Sequence, residues 1–166
     1  MIKPAKYWIE KLKLEKHPEG GWFKEVYRSD EKISEDGLPD YFAGSRNIST
    51  SIYYLLEGKD FSAFHRIKSD EIWHFYTGNS ALEILWIEDG ILKTQLLGNQ
   101  TDDNNVFQFV VPKKTWFAAR LKSEAGYALM GCTVSPGFHF DDFEMAGKEL
   151  LNEYPEFEDE IKDLIR

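Results

Sequence analysis

The stretch "ALEILWIEDGILKTQLLG" restricts the fold more than any other part of the chain. Two apolar-rich segments flank Glu88-Asp89-Gly90, and an Asp-Gly pair supplies the positive φ that a tight hairpin turn needs. The same kind of signal recurs. "WFKEVYR" alternates, "STSIYYLLEG" is β-branched and aromatic and stops at Gly58, and "NVFQFVVP", "WFAARL" and "GYALMGCTVSPG" follow. Eight or nine short strands between about residues 22 and 140 predict a sandwich or barrel. No stretch alternates strand with long helix, which argues against a parallel α/β sheet.

The ends read differently. "PAKYWIEKLKL" puts Tyr7, Trp8 and Leu12 on one helical face, and "HPEGG" breaks that helix. Beyond residue 140, Asp141 or Asp142 can cap a helix over "FEMAGKELLNEY", with Phe143, Ala146, Leu150 and Leu151 on one side. Pro155 then starts a last helix. The expectation is one all-β domain over residues 1–166, with its barrel at about 22–140 and C-terminal helices at about 141–166. That length is ample for a core.

Charge and cysteine usage exclude some functions. A net charge of −9 disfavours nucleic acid and anionic membrane surfaces, because both reward basic patches. No apolar run is long enough to span a bilayer. "MIKPAKYWIEKLKLEK" lacks the apolar block of a secretion signal, so a cytoplasmic location is expected. Cys132 is the single cysteine, which rules out an intrachain disulfide and a zinc site of several thiolates; it reads as a small core residue.

Candidate chemistry concentrates in "FHRIKSDEIWHFYTG", from Phe64 to Gly78. Strand periodicity places Glu71, Trp73 and Phe75 on one face and Ile72, His74 and Tyr76 on the other. A carboxylate between two rings on an inward face is either a ligand-binding group or an expensive buried charge. Burial would raise its pKa, whereas Arg66 or Lys68 nearby would hold it ionised. Arg28 and Arg46 can bind an anion in bidentate fashion. Tyr53 offers a phenol, and Trp73, Phe75 and Trp116 offer stacking surface. His17 lies in the breaker segment and carries no signal; His139, which follows "PGF", has a barrel mouth within reach but is expected to be exposed.

The spacing resembles the cupins. Their first motif runs roughly Gly, His-x-His, Glu, Gly; here His65 stands six residues before Glu71, and Gly78 seven after it. The second histidine of the pair falls at Ile67. In the second motif, Pro112 of "VPKKTWF" matches, Lys114 replaces a glycine and Phe117 replaces a histidine. Two of the usual four metal ligands are therefore missing, and no metal or other cofactor is expected. The blocks "HPEGGWFKEVYRS", "SIYYLLEG", "FHRIKSDEIWHFYTG", "VVPKKTWFAARL" and "SPGFHFDDFEMA" resemble, in order, the cupin-5 (DUF985) family. That resemblance implies a double-stranded β-helix jelly roll with flanking helices, a homodimer, and a polar pocket for a small-molecule ligand. Within it, His65 and Glu71 become the catalytic candidates, and Arg28, Arg46, Tyr53, Trp73, Phe75 and Trp116 the substrate-binding ones. Three functions follow as expectations: a metal-independent isomerase or epimerase on a small carbohydrate-like or acidic substrate, a non-catalytic ligand-binding module, or a metal-dependent cupin with an incomplete ligand set.

Overall fold

The computed structural model describes residues 3–166. A short helix, α1 (Ala5–Leu12), leads into β1 (Glu15–Lys16) and β2 (Trp22–Arg28). Two small strands, β3 (Lys32–Ile33) and β4 (Arg46–Asn47), pair with each other in the segment that follows β2. The body of the fold is β5 (Thr50–Glu57), β6 (Phe61–Ile67), β7 (Asp70–Gly78), β8 (Leu82–Glu88), β9 (Ile91–Leu97), β10 (Gln108–Val111), β11 (Phe117–Leu121) and β12 (Tyr127–Ser135). It closes with β13 (Phe143–Met145), α2 (Glu149–Glu153) and α3 (Glu158–Ile161).

Two antiparallel sheets face each other. One has the order β1-β2-β5-β12-β7-β10, the other β13-β6-β11-β8-β9. The β8–β9 hairpin turns through Asp89 (φ 53°) and Gly90 (φ 72°), the two positive angles that the Asp-Gly pair predicted. Inward side chains of both sheets, among them Tyr54, Leu56, Trp73, Ile84, Phe117 and Met130, form the main core. The outer face of the six-stranded sheet is covered at one end by α1, whose Trp8, Ile9 and Leu12 pack on Leu55, Tyr127 and Leu129. Tyr7, read from the sequence as part of that apolar face, is exposed instead. The C-terminal segment covers the other sheet: Leu150, Ile161 and Leu164 are buried against Phe64, Leu85 and Ala118. Each such side chain contributes about 1.5–3 kcal/mol.

The tail departs from its sequence reading. Phe143–Met145 is a strand, not the start of a helix; it extends the sheet along β6 by pairing Phe143 with Ile67, Glu144 with Arg66 and Met145 with His65. Without it, the edge of β6 would be left with unpaired backbone groups, and covering them outweighs helical propensity here. Helix resumes only at Glu149.

Candidate functional site

Strand β7 presents its side chains as periodicity demands. Glu71, Trp73 and Phe75 are buried, Ile72 and His74 are half-buried and Tyr76 is exposed. Trp73 and Phe75 disappear into the core, but Glu71, nearer the open end of the barrel, faces a cavity of about 280 Å³ between the sheets. That is close to the lower end of the range for small-molecule sites. His65 on β6, Glu19 from the β1–β2 turn, and Cys132 on β12 border the same space. Phe23, Ile52 and Val134 line its walls. Arg28, Glu25, His139 and Phe140 are exposed and form the mouth.

Glu71 carries no opposing cation. Its pKa is raised to about 8, first by burial and then by the charge of Glu19. At neutral pH it is a carboxylic acid with a proton to donate. Arg66 turns away to Glu144 (2.7 Å) and stacks its guanidinium over Trp116, and Lys68 pairs with Asp142 (3.5 Å). Neither holds Glu71 ionised, so desolvation decides its state. The Cys132 thiol beside it is pushed well up by burial and by Glu71, which makes it inert.

His65 is fully enclosed. Its Nδ1 donates to the Ala63 carbonyl at 2.7 Å, and its Nε2 lies 3.2 Å from Glu19 Oε2. A ring whose Nδ1 is bonded to a carbonyl must donate there, so one proton is shared between Nε2 and the carboxylate. Ser62 Oγ donates to the other oxygen of Glu19 at 2.9 Å. His17 completes the group: its Nδ1 accepts from the Glu19 backbone N–H (3.3 Å), and burial lowers its pKa, so the ring is neutral.

Glu19 and His17 were missed in the sequence, because the segment holding them reads as a helix breaker. Its geometry explains the residues. Gly20 and Gly21 have φ of 116° and 70°, and a Cβ on Gly20 would lie 2.0 Å from the Phe61 carbonyl. Two glycines let the turn press onto β6, where the Ala63 N–H donates to the Glu19 carbonyl at 2.9 Å. The adjacent Gly-Gly pair behind an acid was the available signal.

Of the other sequence candidates, Arg28 reaches the cavity mouth, but Glu25 grips it with two hydrogen bonds (2.7 and 3.0 Å). Arg46 is buried away from the cavity in a bidentate pair with Asp142 (2.6 and 2.7 Å). Tyr53 lies on the outer face of the six-stranded sheet, edge-on to Tyr76. Trp116 packs with the C-terminal segment. Arg46, Tyr53, Trp73, Phe75 and Trp116 therefore border none of the cavity. His139 is exposed, as expected, and stands at the cavity mouth.

The donor set does not match a metal centre of the cupin kind. Phe117 fills the place of the second-motif histidine, with its ring 4.2 Å from that of His65, and Ile67 turns an alkyl chain into the cavity. Among the described residues, no three His, Cys, Asp or Glu side chains are grouped as metal ligands are. The main-chain geometry of the second motif survives its side-chain changes: Lys114 takes φ 62°, the left-handed conformation that suits the glycine it replaces, with its ammonium over the Tyr41 ring.

Two facing antiparallel sheets with a largely apolar cavity between them, into which a few ionisable side chains project, are the jelly-roll architecture of the cupins. The chain belongs to the Cupin_5 family, described as cupin superfamily (DUF985), whose family model matches residues 6–146. It is similar to a solved protein of Shewanella oneidensis, SO0799 (38% identity, TM-score 0.87, covering 99% of each chain). A hypothetical protein from Leishmania major is also similar (31% identity, TM-score 0.86, covering 98% of this chain and 99% of that one). An uncharacterized protein of Saccharomyces cerevisiae is 31% identical over 167 residues, covering 95% of this chain and 78% of its own length. None of these names carries an activity.

Proposed function

We propose that this chain is a metal-independent isomerase or epimerase acting on a small, neutral, carbohydrate-like substrate. One observation carries the reading: a carboxylic acid that keeps its proton at neutral pH shares a cavity with a carboxylate–imidazole pair. A general acid works best when its pKa lies near the operating pH, and about 8 meets that condition. The cavity offers no uncommitted arginine, since Arg28 is held by Glu25 and Arg46 by Asp142, so a neutral substrate is better supported than an acidic one. Metal chemistry has less support, because aromatic and alkyl side chains stand where two ligands would. We place the protein in the cytoplasm as one domain over residues 1–166, and as a homodimer without nucleic-acid or membrane partners. No helix among the described residues is long and apolar enough to cross a membrane.

The test is deuterium wash-in. The protein is incubated in D2O with unphosphorylated aldoses and ketoses of three to six carbons, and label next to the carbonyl is read by NMR. Exchange by the wild type that Glu71→Gln reduces at least 100-fold supports the reading. Binding of a sugar without exchange would replace it with the second reading, a ligand-binding module.

A further inference from the structure

We propose that Glu19 is the proton-abstracting base of this pocket and that His65 acts through it, as a positioning residue; this rests on the proton-transfer reading above. The hydrogen bonds divide the roles. His65 has two ring nitrogens, and both are engaged, one by the Ala63 carbonyl (2.7 Å) and one by Glu19 (3.2 Å). A ring so held has no free lone pair for a substrate proton. Glu19 is in the opposite position. Ser62 donates to Oε1 and His65 to Oε2, and each oxygen keeps a second acceptor site. The carboxylate borders the cavity, within reach of whatever binds there.

Glu71, raised by burial, keeps the proton that an acid must give, and Glu19, with its two donors and open acceptor sites, is the carboxyl group placed to take one. The chemistry balances without a co-reactant. Glu19 removes the proton from the carbon beside a substrate carbonyl. The C–H electron pair becomes the C=C bond of an enol, the carbonyl π pair takes the Glu71 proton, and the reverse steps return a proton to either carbon. The substrate class is therefore a neutral α-hydroxy aldehyde or ketone. The titratable groups around Glu19 are His17 from its own turn, Tyr54 on β5, His65 on β6, Glu71 on β7 and Cys132 on β12. The neutral His17 ring spends its Nδ1 lone pair on the Glu19 backbone N–H and so carries its proton on Nε2, and burial keeps Tyr54 and Cys132 protonated, so none of these three competes for the role.

The same sugar panel in D2O tests the proposal with Glu19→Gln and His65→Gln. Glu19→Gln is expected to lower kcat at least 100-fold. His65→Gln is expected to lower kcat about tenfold, leave KM within about twofold, and shift the acidic limb of the pH profile, because it removes a partner of the base and not the base itself. A substrate-free measurement stands beside it: the wild-type proton NMR spectrum should contain a slowly exchanging His65 Nε2–H signal that Glu19→Gln displaces. Full activity in Glu19→Gln with none in His65→Gln would make His65 the base and overturn the proposal while sparing the isomerase reading. No exchange by the wild type with any sugar would overturn both. A folded wild-type protein without the Nε2–H signal would overturn the pairing whatever the activity.

Discussion

Replacing Glu71 by glutamine keeps the size and shape of the side chain and removes its titration, which makes the cost of ionising it measurable. The wild-type carboxyl has a pKa of about 8 in the folded protein against an ordinary 4.5. At about 1.36 kcal/mol for each factor of ten, that gap amounts to roughly 5 kcal/mol. The sign follows from proton binding. Between pH 4.5 and 8 the folded chain holds a proton that the unfolded chain releases, so stability is fully present below about 4.5 and declines until the folded group ionises near 8. His17, with its pKa lowered by burial, works the other way and costs stability as pH falls below about 6.5, but both proteins carry it and it cancels in the comparison. Urea unfolding at pH 5, 6.5 and 8.5 reads the difference. Relative to Glu71→Gln, the wild type should lose several kcal/mol between pH 5 and 8.5, a large share of a typical domain's 5–15 kcal/mol. Parallel pH profiles for the two proteins would mean that Glu71 is ionised in the fold at little cost and that burial does not hold its proton.

Gly20→Ala should destabilise the fold by about 2 kcal/mol or more and disturb Glu19, because its Cβ meets the Phe61 carbonyl at a φ that disfavours any side chain; thermal melting checks it. Asp142→Ala should cost about 3–5 kcal/mol in chemical unfolding by leaving the Arg46 guanidinium buried and unpaired, without changing the titration of Glu71. Elemental analysis after dialysis should find well under one transition-metal ion per chain. Sedimentation should show a dimer at micromolar concentration, formed through the uncovered outer face of the six-stranded sheet, where Tyr27, Tyr76 and Val110 are each about half exposed; monomer alone would count against it.

Local signals carried much of the fold. The Asp-Gly turn and the period-two order of "EIWHFY" each depend on neighbours in the chain, and each has the expected geometry. The cavity was only half legible, because its other half comes from far away. Glu19 meets Ser62 across 43 positions, and Arg46 finds Asp142 across 96. No periodicity marks such partners. A lone arginine on a strand looks the same whether it faces a ligand or a buried aspartate, and Arg46 faces the aspartate. Trp73 and Phe75 share the parity of Glu71, but parity assigns a face and not a depth, and these two rings lie below the cavity in the core. Phe143–Met145 misled for a related reason: the need to pair the edge of β6 is invisible in the segment itself.

The proposed chemistry depends on a carboxylic acid at neutral pH beside a carboxylate–imidazole pair in the cavity. Carbon NMR of protein labelled with 13C at the glutamate carboxyls, with Glu71 assigned by its loss in Glu71→Gln, measures this directly. The Glu71 signal should titrate near pH 8, and in Glu19→Gln its midpoint should fall, because the charge of Glu19 is one of the two causes that raise it. A Glu71 midpoint near the ordinary 4.5, unmoved by Glu19→Gln, would mean that Glu71 is ionised at neutral pH and has no proton to donate.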